Sequence, residues 1–357
     1  MPIFKLRESL TLEEGGCLES AEIEYEIEGK LNEEKTNAVV VCHTLVGGID
    51  IVQSPIWSFV GEGRLIDVNK YCVITLGTLG GLNKSTGPRS LDINGKQYGP
   101  DFPTITVTDS VRAHAQVLES LGIKKAKAVI GGSYGGFCAY TWMALKPDYF
   151  DLAIIFQSSL CCSAHTIGIF SICRELIVSS PHWKQGHYKE SDLKHFHEYT
   201  QMIGVNRLFQ LSHDKYESKF PRTMRRKTER RPARYWESYS PVDEFVMSKP
   251  SLHKGADPNT MLSTFRASSL FDLETSFPDL WSRWKSLSTT VVQIPCLEDW
   301  RYPAEGMLEI HQKMQTIGIN SYCYTTSSRW GHGSYLYDPN SLNEIIPILE
   351  KLLERSK

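Results

Sequence analysis

A doubly wound α/β fold, with a mostly parallel sheet and one helical insertion, is predicted by three features of this 357-residue sequence. Five short, β-branched runs are apolar on both faces, as the buried strands of a parallel sheet require. Stretches with the 3.6-residue apolar period of a helix separate several of them. A long stretch, 161–287, carries aromatic and charged residues in place of strand runs.

In chain order, "AEIEYEIEG" comes first. Ile23, Tyr25 and Ile27 alternate with Glu22, Glu24, Glu26 and Glu28, the pattern of a half-exposed antiparallel strand near a sheet edge. The two-sided runs follow: "AVVVCHTLV" at Ala38–Val46, "YCVITL" at Tyr71–Leu76, "KAVIGG" at Lys127–Gly132, "LAIIFQSS" at Leu152–Ser159 and "TVVQIPCLE" at Thr290–Glu298. In "TDSVRAHAQVLESLGI", Val111, Ala115, Leu118 and Leu121 form one apolar stripe, and Gly122 is a helix stop. "SDLKHFHEYTQMIGVNRLFQLS" reads as helical. "SLNEIIPILEKLLERSK" closes the chain as an amphipathic helix with a kink expected at Pro347. The expected units are a sheet core of 1–160 and 288–357, and a helical cap of 161–287.

Composition narrows the function. The chain is 41% hydrophobic and 22% charged, with a formal net charge of -2, which argues against a nucleic-acid or anionic-membrane partner. The basic cluster "PRTMRRKTERRPAR" (Pro221 to Arg234) reads as a solvated surface segment, with a contact for a phosphorylated cofactor as the other reading. The nine cysteines are odd in number, lie mostly in apolar runs and form no C-x-x-C pair; they read as buried thiols in a reducing compartment. The start, "MPIFKLRESLTLEEGG", has no apolar signal region, and no run reaches membrane-spanning length, so the expected location is cytoplasmic. His182, His187, His195 and His197 fall in the insertion with no matching carboxylate pattern, so no metal site is expected.

The chemistry centres on "VIGGSYGGFCAY". Gly131-Gly132-Ser133-Tyr134-Gly135 fits G-x-S-x-G, a strand-to-helix turn that exposes a strained central serine. A serine hydroxyl becomes a nucleophile only when an imidazole takes its proton and a carboxylate holds that imidazole's tautomer. In α/β-hydrolase folds these groups follow in the order Ser, Asp or Glu, His, each after a strand. Here the "VVQIP" run leads into "CLEDWRYP", offering Asp299 or Glu298, and "SYCYTTSS" leads into "RWGHGSYLYD", offering His332. The oxyanion needs two backbone N–H donors. Tyr134, at the helix start, and Leu45, in "VCHTLVGG", are the expected pair; His43 in that loop reads as a local hydrogen-bonding residue.

These residues give the chain a family likeness. It resembles the homoserine O-acetyltransferases of the α/β-hydrolase fold over most of its length. "HTLVGG" is similar to that family's H-A-L-T-G, "YGPDFP" to its Y-G-x-D-F-P, and "GGSYGG" stands where it has G-G-S-M-G-G. The block "GEGRLIDVNKYCVITLGTLGGLNKSTGPRS" resembles its G-P-G…G-S-T-G-P-x-S segment. "EDWRYP" resembles S-D-x-L-Y-P, which puts the acid on Asp299, and "WGHGSYL" resembles G-H-D-A-F-L, which puts the base on His332. The resemblance implies an O-acyltransferase with a ping-pong mechanism. Acetyl-CoA is the donor, a small-molecule hydroxyl compound the acceptor, no cofactor is bound, and the protein is a homodimer packed through the cap. A serine hydrolase with the same triad is the alternative. Two departures touch the acceptor. Gly333 replaces the family's aspartate after the histidine, and Gln201 stands where the cap arginine would be, with Arg207 further on. A glycine cannot pair with a buried ammonium, so the expected acceptor is either homoserine-like or a different alcohol, less charged or larger; Gly333 and Arg207 are the expected substrate-binding positions, with a surface helix arginine as the other reading of Arg207. The resemblance also implies an active site at the end of a tunnel, which the Tyr134 ring, in place of Met, is expected to narrow or polarise. Asn83, Lys84 and Ser85, beside Gly80, Gly81 and Gly87, are expected to be structural.

Overall fold

The structure is a computed structural model that describes residues 1–196, 198–220, 240–246 and 257–355. Among these, ten strands follow one another: β1 (Ile3–Lys5), β2 (Leu10–Thr11), β3 (Cys17–Leu18), β4 (Glu22–Glu28), β5 (Ala38–Cys42), β6 (Cys72–Leu76), β7 (Ala126–Gly132), β8 (Phe150–Phe156), β9 (Thr290–Ile294) and β10 (Ser321–Cys323). Eight form one sheet in the order β1-β4-β6-β5-β7-β8-β9-β10, while β2 and β3 pair apart. The pairs from β6 to β10 are parallel; β4 pairs antiparallel with both β1 and β6.

Every residue of β5 and β6 is buried, and the alternation explains why those runs are apolar throughout. Val39 and Val41 enter one core with Trp57, Phe59 and Leu349; Val40 and Cys42 enter the other with Phe137 and Met307. Helices α1 (Val107–Ser120) and α2 (Tyr134–Leu145) follow β6 and β7. A Thr106–Asp109 capping box starts α1, and Gly122 at φ 75° ends its turn.

Between β8 and β9 the described residues form helices and no strand: α3 (Ala164–Val178), α4 (Glu198–Leu208), α5 (His213–Lys219), α6 (Pro241–Val246), α7 (Pro258–Ser269), α8 (Leu273–Ser276) and α9 (Leu280–Trp284). The basic cluster at Pro221 to Arg234 and His197 lie outside the described residues. The chain closes with α10 (Ala304–Thr316), α11 (Ser334–Tyr337) and α12 (Ile346–Arg355).

Two expectations change. Pro347 starts α12 and does not kink a longer helix; at the second helical position its missing N–H has no intrahelical partner to lose. Glu24, expected on the exposed face of β4, is buried. Its carboxylate accepts from the Lys84 amide at 2.8 Å, and the Glu24 amide donates to Ser85 Oγ at 3.0 Å. Asn83 braces the same turn, accepting from the Ser85 amide at 2.8 Å. The "NKST" segment therefore covers this face of β4. All nine cysteines are free thiols, with Cys17 and Cys161 exposed and six buried. No described helix is long and apolar enough to cross a membrane.

Candidate active site

Strand β7 and helix α2 meet at Ser133, whose φ of 56° and ψ of −123° lie in the left-handed half of the map. Such a conformation costs about 1–3 kcal/mol in a non-glycine residue. The surroundings hold it there. The Ser133 amide donates to Phe156 O at 3.1 Å, and its carbonyl accepts from the Gly136 amide at 2.9 Å and from Ser158 Oγ at 2.9 Å. The glycines permit the turn: a Cβ on Gly131 would strike the Gly135 carbonyl, and one on Gly135 would strike the Cys42 carbonyl at the end of β5. The start of α2 is thereby pressed against the loop that leaves β5.

Ser133 is half-buried, and its Oγ lies 2.9 Å from His332 Nε2. His332 Nδ1 lies 2.8 Å from Asp299 Oδ2. The other oxygen, Asp299 Oδ1, accepts from the amides of Arg301 (2.8 Å) and Tyr302 (3.0 Å). The Asp299 side chain is fully buried. These bonds orient the carboxylate, and the carboxylate leaves Nδ1 as the imidazole's N–H and Nε2 as acceptor for the serine proton. Glu298, the neighbouring candidate, turns elsewhere. Its oxygens accept from Ser327 Oγ at 2.6 Å and from the Ser328 amide at 2.8 Å. Burial works against its ionisation, but these bonds and a Cys296 thiol contact outweigh it and hold the carboxyl below its ordinary range.

The two expected oxyanion donors sit at this junction. Tyr134 occupies the first position of α2, where an amide has no intrahelical acceptor and the helix dipole is positive. Leu45 follows β5 in the loop closed by a bond from the Gly47 amide to Thr44 O at 2.9 Å. His43 meets Thr44 O through Nδ1 at 2.7 Å, and His332 is the imidazole that reaches Ser133. Burial lowers the His43 pKa, partly offset by that bond. The Tyr134 ring is buried, and its hydroxyl bonds to the Thr78 side chain.

Sequence reasoning passed over Gln157, which closes the β8 run at φ 42°. Its Nε2 donates to Gly331 O at 2.9 Å and to Ser334 Oγ at 3.1 Å, and its Oε1 accepts from the Gly333 amide at 2.7 Å. One side chain thus clamps both flanks of His332. The only signal in the sequence is a polar residue ending an apolar run. Tyr302 was also missed; its ring packs 5.4 Å from the His332 ring.

Comparison with known proteins shows the family of the chain. Residues 37–339 match the family model of the alpha/beta hydrolase fold. Over 365 aligned positions the chain is 34% identical to the homoserine O-acetyltransferase of Methanococcus vannielii, covering 98% of this chain and 73% of that protein. The chain belongs to the homoserine O-acetyltransferase family. It is accordingly an enzyme of an acyltransferase family, with the α/β-hydrolase fold. The crystal structure of homoserine O-acetyltransferase from Bacillus anthracis superposes with a TM-score of 0.88 at 24% identity, over 99% of this chain and 97% of that one. Esterase E22 superposes with a TM-score of 0.86 at 23% identity, over 99% of both chains. At these identities the two likenesses speak to the fold alone.

The acceptor-side residues singled out in the family pattern lie on two elements, Gln201 and Arg207 on α4 and Gly333 at the start of α11. Gln201 is exposed on α4. Arg207, at the end of that helix, donates to Phe245 O at 2.6 Å and lies over the Phe245 ring on α6. Gly333, at φ 85°, begins α11 beside His332, with Gln210 Nε2 3.6 Å from where a Cβ would stand. Among the described residues no group of three or more His, Cys, Asp or Glu is placed to hold a metal ion.

Proposed function

We propose that this chain is an O-acyltransferase that moves acetyl from acetyl-CoA to a hydroxyl acceptor other than homoserine, through a Ser133 acyl-enzyme. The observation that carries the proposal is the unbroken hydrogen-bonded series from Ser133 Oγ through His332 to Asp299, at 2.9 and 2.8 Å. His332 Nε2 takes the Ser133 proton as Oγ attacks the thioester carbonyl. The Leu45 and Tyr134 amides receive the oxyanion; one such donor commonly contributes about 2.7–4 kcal/mol to the transition state. Collapse expels the CoA sulfur, which takes the proton from His332, and acetyl stays on Ser133. In the second half the acceptor hydroxyl gives its proton to Nε2 and attacks the ester, and Ser133 regains a proton. Asp299 orients the ring and stabilises the imidazolium in both halves. Gly333 offers no side chain to pair with an acceptor ammonium, which favours an acceptor unlike homoserine. Arg207, bound through Nη1 to Phe245 O, is the family-pattern candidate for contact with the acceptor. The family likeness supports a homodimer packed through the helices between β8 and β9, working in the cytoplasm.

The test is thiol release from acetyl-CoA with and without candidate alcohols. Alone, acetyl-CoA should give a burst stoichiometric with enzyme, followed by slow release; the accepting alcohol should restore turnover and appear as its acetyl ester. Fast, sustained release without any alcohol would make water the acceptor and the chain a hydrolase.

A further inference from the structure

Two residues past Asp299 the chain places a cation in the protein interior. Arg301 is only 8% exposed. Its Nη2 donates to Asn206 Oδ1 on α4 at 2.9 Å, and its guanidinium carbon stands 5.9 Å from the Phe170 ring centroid on α3. Its Nε is buried with no hydrogen-bond partner. Among the described residues no carboxylate pairs with this guanidinium. A guanidinium does not shed its proton, and an unpaired buried charge is unfavourable by several kcal/mol.

The residue adjoins the catalytic acid in the chain, two positions after Asp299, while its guanidinium lies between α3 and α4. Tyr302, the next residue, packs against the His332 ring. Burial raises the pKa of the Tyr302 hydroxyl, with the Cys162 thiol adding to the rise and the Arg301 charge opposing it. The anions of this region are committed. Asp299 is bound to His332 and two amides, Glu298 to Ser327 and Ser328, and Asp338 Oδ2 to Ser328 Oγ at 2.6 Å. Next to His332, Gly333 has no side chain and its amide is taken by Gln157. The nearest side-chain polar atom to its missing Cβ is the donor Gln210 Nε2. Among these described residues, the local balance is one unanswered positive charge and no free negative one.

We infer that Arg301 is a specificity-determining residue that receives a carboxylate of the acceptor, and that the acceptor is a hydroxy acid without an adjacent ammonium. The acceptor's carboxylate would accept from the free Nε–H and supply the missing counter-charge, with its hydroxyl directed to His332 Nε2. The inference rests on the acyltransferase reading for its biology, but the site is tested by binding.

Calorimetric titration of the Ser133→Ala protein, which cannot turn over, with a series of ω-hydroxyalkanoates and the matching diols and amino alcohols reads the site directly. Hydroxyalkanoates should bind about 10- to 100-fold more tightly than the diols, the range of a hydrogen bond to a charged group. Amino alcohols should bind worst. Adding Arg301→Leu should collapse the ratio of hydroxyalkanoate to diol affinity; Arg301→Lys should retain part of it. Arg301→Gln, which keeps a donor for Asn206, serves the same comparison should the leucine variant not fold. Equal binding of hydroxyalkanoates and diols, or a ratio unchanged without the guanidinium, overturns the inference. Hydroxyalkanoate preference in a chain that releases no thiol from acetyl-CoA would uphold the carboxylate site and remove the transferase reading.

Discussion

The loops leaving β7, β9 and β10 and the helices inserted between β8 and β9 are held by different forces. In the loops, backbone groups set much of the geometry, with the Ser158 and Gln157 side chains as braces. Ser133 is locked at positive φ by bonds to Phe156, Gly136 and Ser158, and Asp299 is aimed by two amides. The insertion is held mainly by side chains. Phe271 stacks on Phe137 at 4.0 Å between centroids and Phe265 on Phe170 at 4.9 Å, and two backbone bonds, His332 N–H to Gln210 O at 2.9 Å and Ser212 N–H to Arg329 O at 3.4 Å, tie it to the histidine loop. Backbone-built geometry survives changes of neighbouring side chains, whereas apolar packing is permissive of sequence as long as volume is kept. The catalytic geometry can thus stay in the loops while the insertion packed over them changes in sequence.

The contrast can be broken first at the serine. Ser133→Ala should lower acyl transfer on the order of 10⁵- to 10⁶-fold and abolish labelling by an organophosphonate, with circular dichroism unchanged. A variant that still labels would move the nucleophile elsewhere. Next, Asp299→Asn should lower the rate about 10⁴-fold, while Glu298→Gln, whose side chain braces the Ser327–Ser328 turn and meets the Cys296 thiol, should cost less than about tenfold, since it touches neither His332 nor Ser133. Reversed magnitudes would transfer the acid role to Glu298. In the insertion, Phe271→Ala should destabilise by about 3–5 kcal/mol in urea titration, because Phe271 is buried against Phe137; a neutral result would show that the stack contributes little to docking.

A smaller effect belongs to His114, under the sheet end. Burial pushes its pKa down to about 4, against a bond from Nε2 to Gly77 O. The unfolded chain takes up this proton near pH 6.5 and the folded chain only near 4, so stability is full above 6.5 and falls as pH drops toward 4, by up to about 3 kcal/mol. Unfolding at neutral and mildly acid pH measures the slope, and His114→Gln should flatten it. An unchanged slope would place the proton uptake elsewhere. The smallest change is Arg207→Ala, which removes a stack and a bond on Phe245. It should shift stability by about 1 kcal/mol; a thermal-melt shift several times larger would make Arg207 a pillar of the insertion.

Legibility followed the range of the interactions. The strand runs, the α1 cap and the G-x-S-x-G turn are local patterns, and each named its element to within a few residues. Asp299 and Glu298 were both open as acids on position alone, because two adjacent carboxylates after one strand differ only in the direction the loop turns them. Gln157 carried only a polar end to an apolar run and Arg301 no local signal: the first clamps a loop 174 residues away, the second meets a residue 95 positions back. Glu24 alternates like an exposed residue, and only the segment folded over it buries it.

By itself the sequence determined the order of elements and the identity of the serine turn, since hydropathic period and the steric freedom of glycine act between near neighbours. The tertiary structure decided which carboxylate faces His332, which arginine is left without a counter-charge and which side chains hold the histidine loop. Those outcomes depend on burial and on hydrogen bonds between segments far apart in the chain, and such bonds exist only once the sheet has brought the segments together.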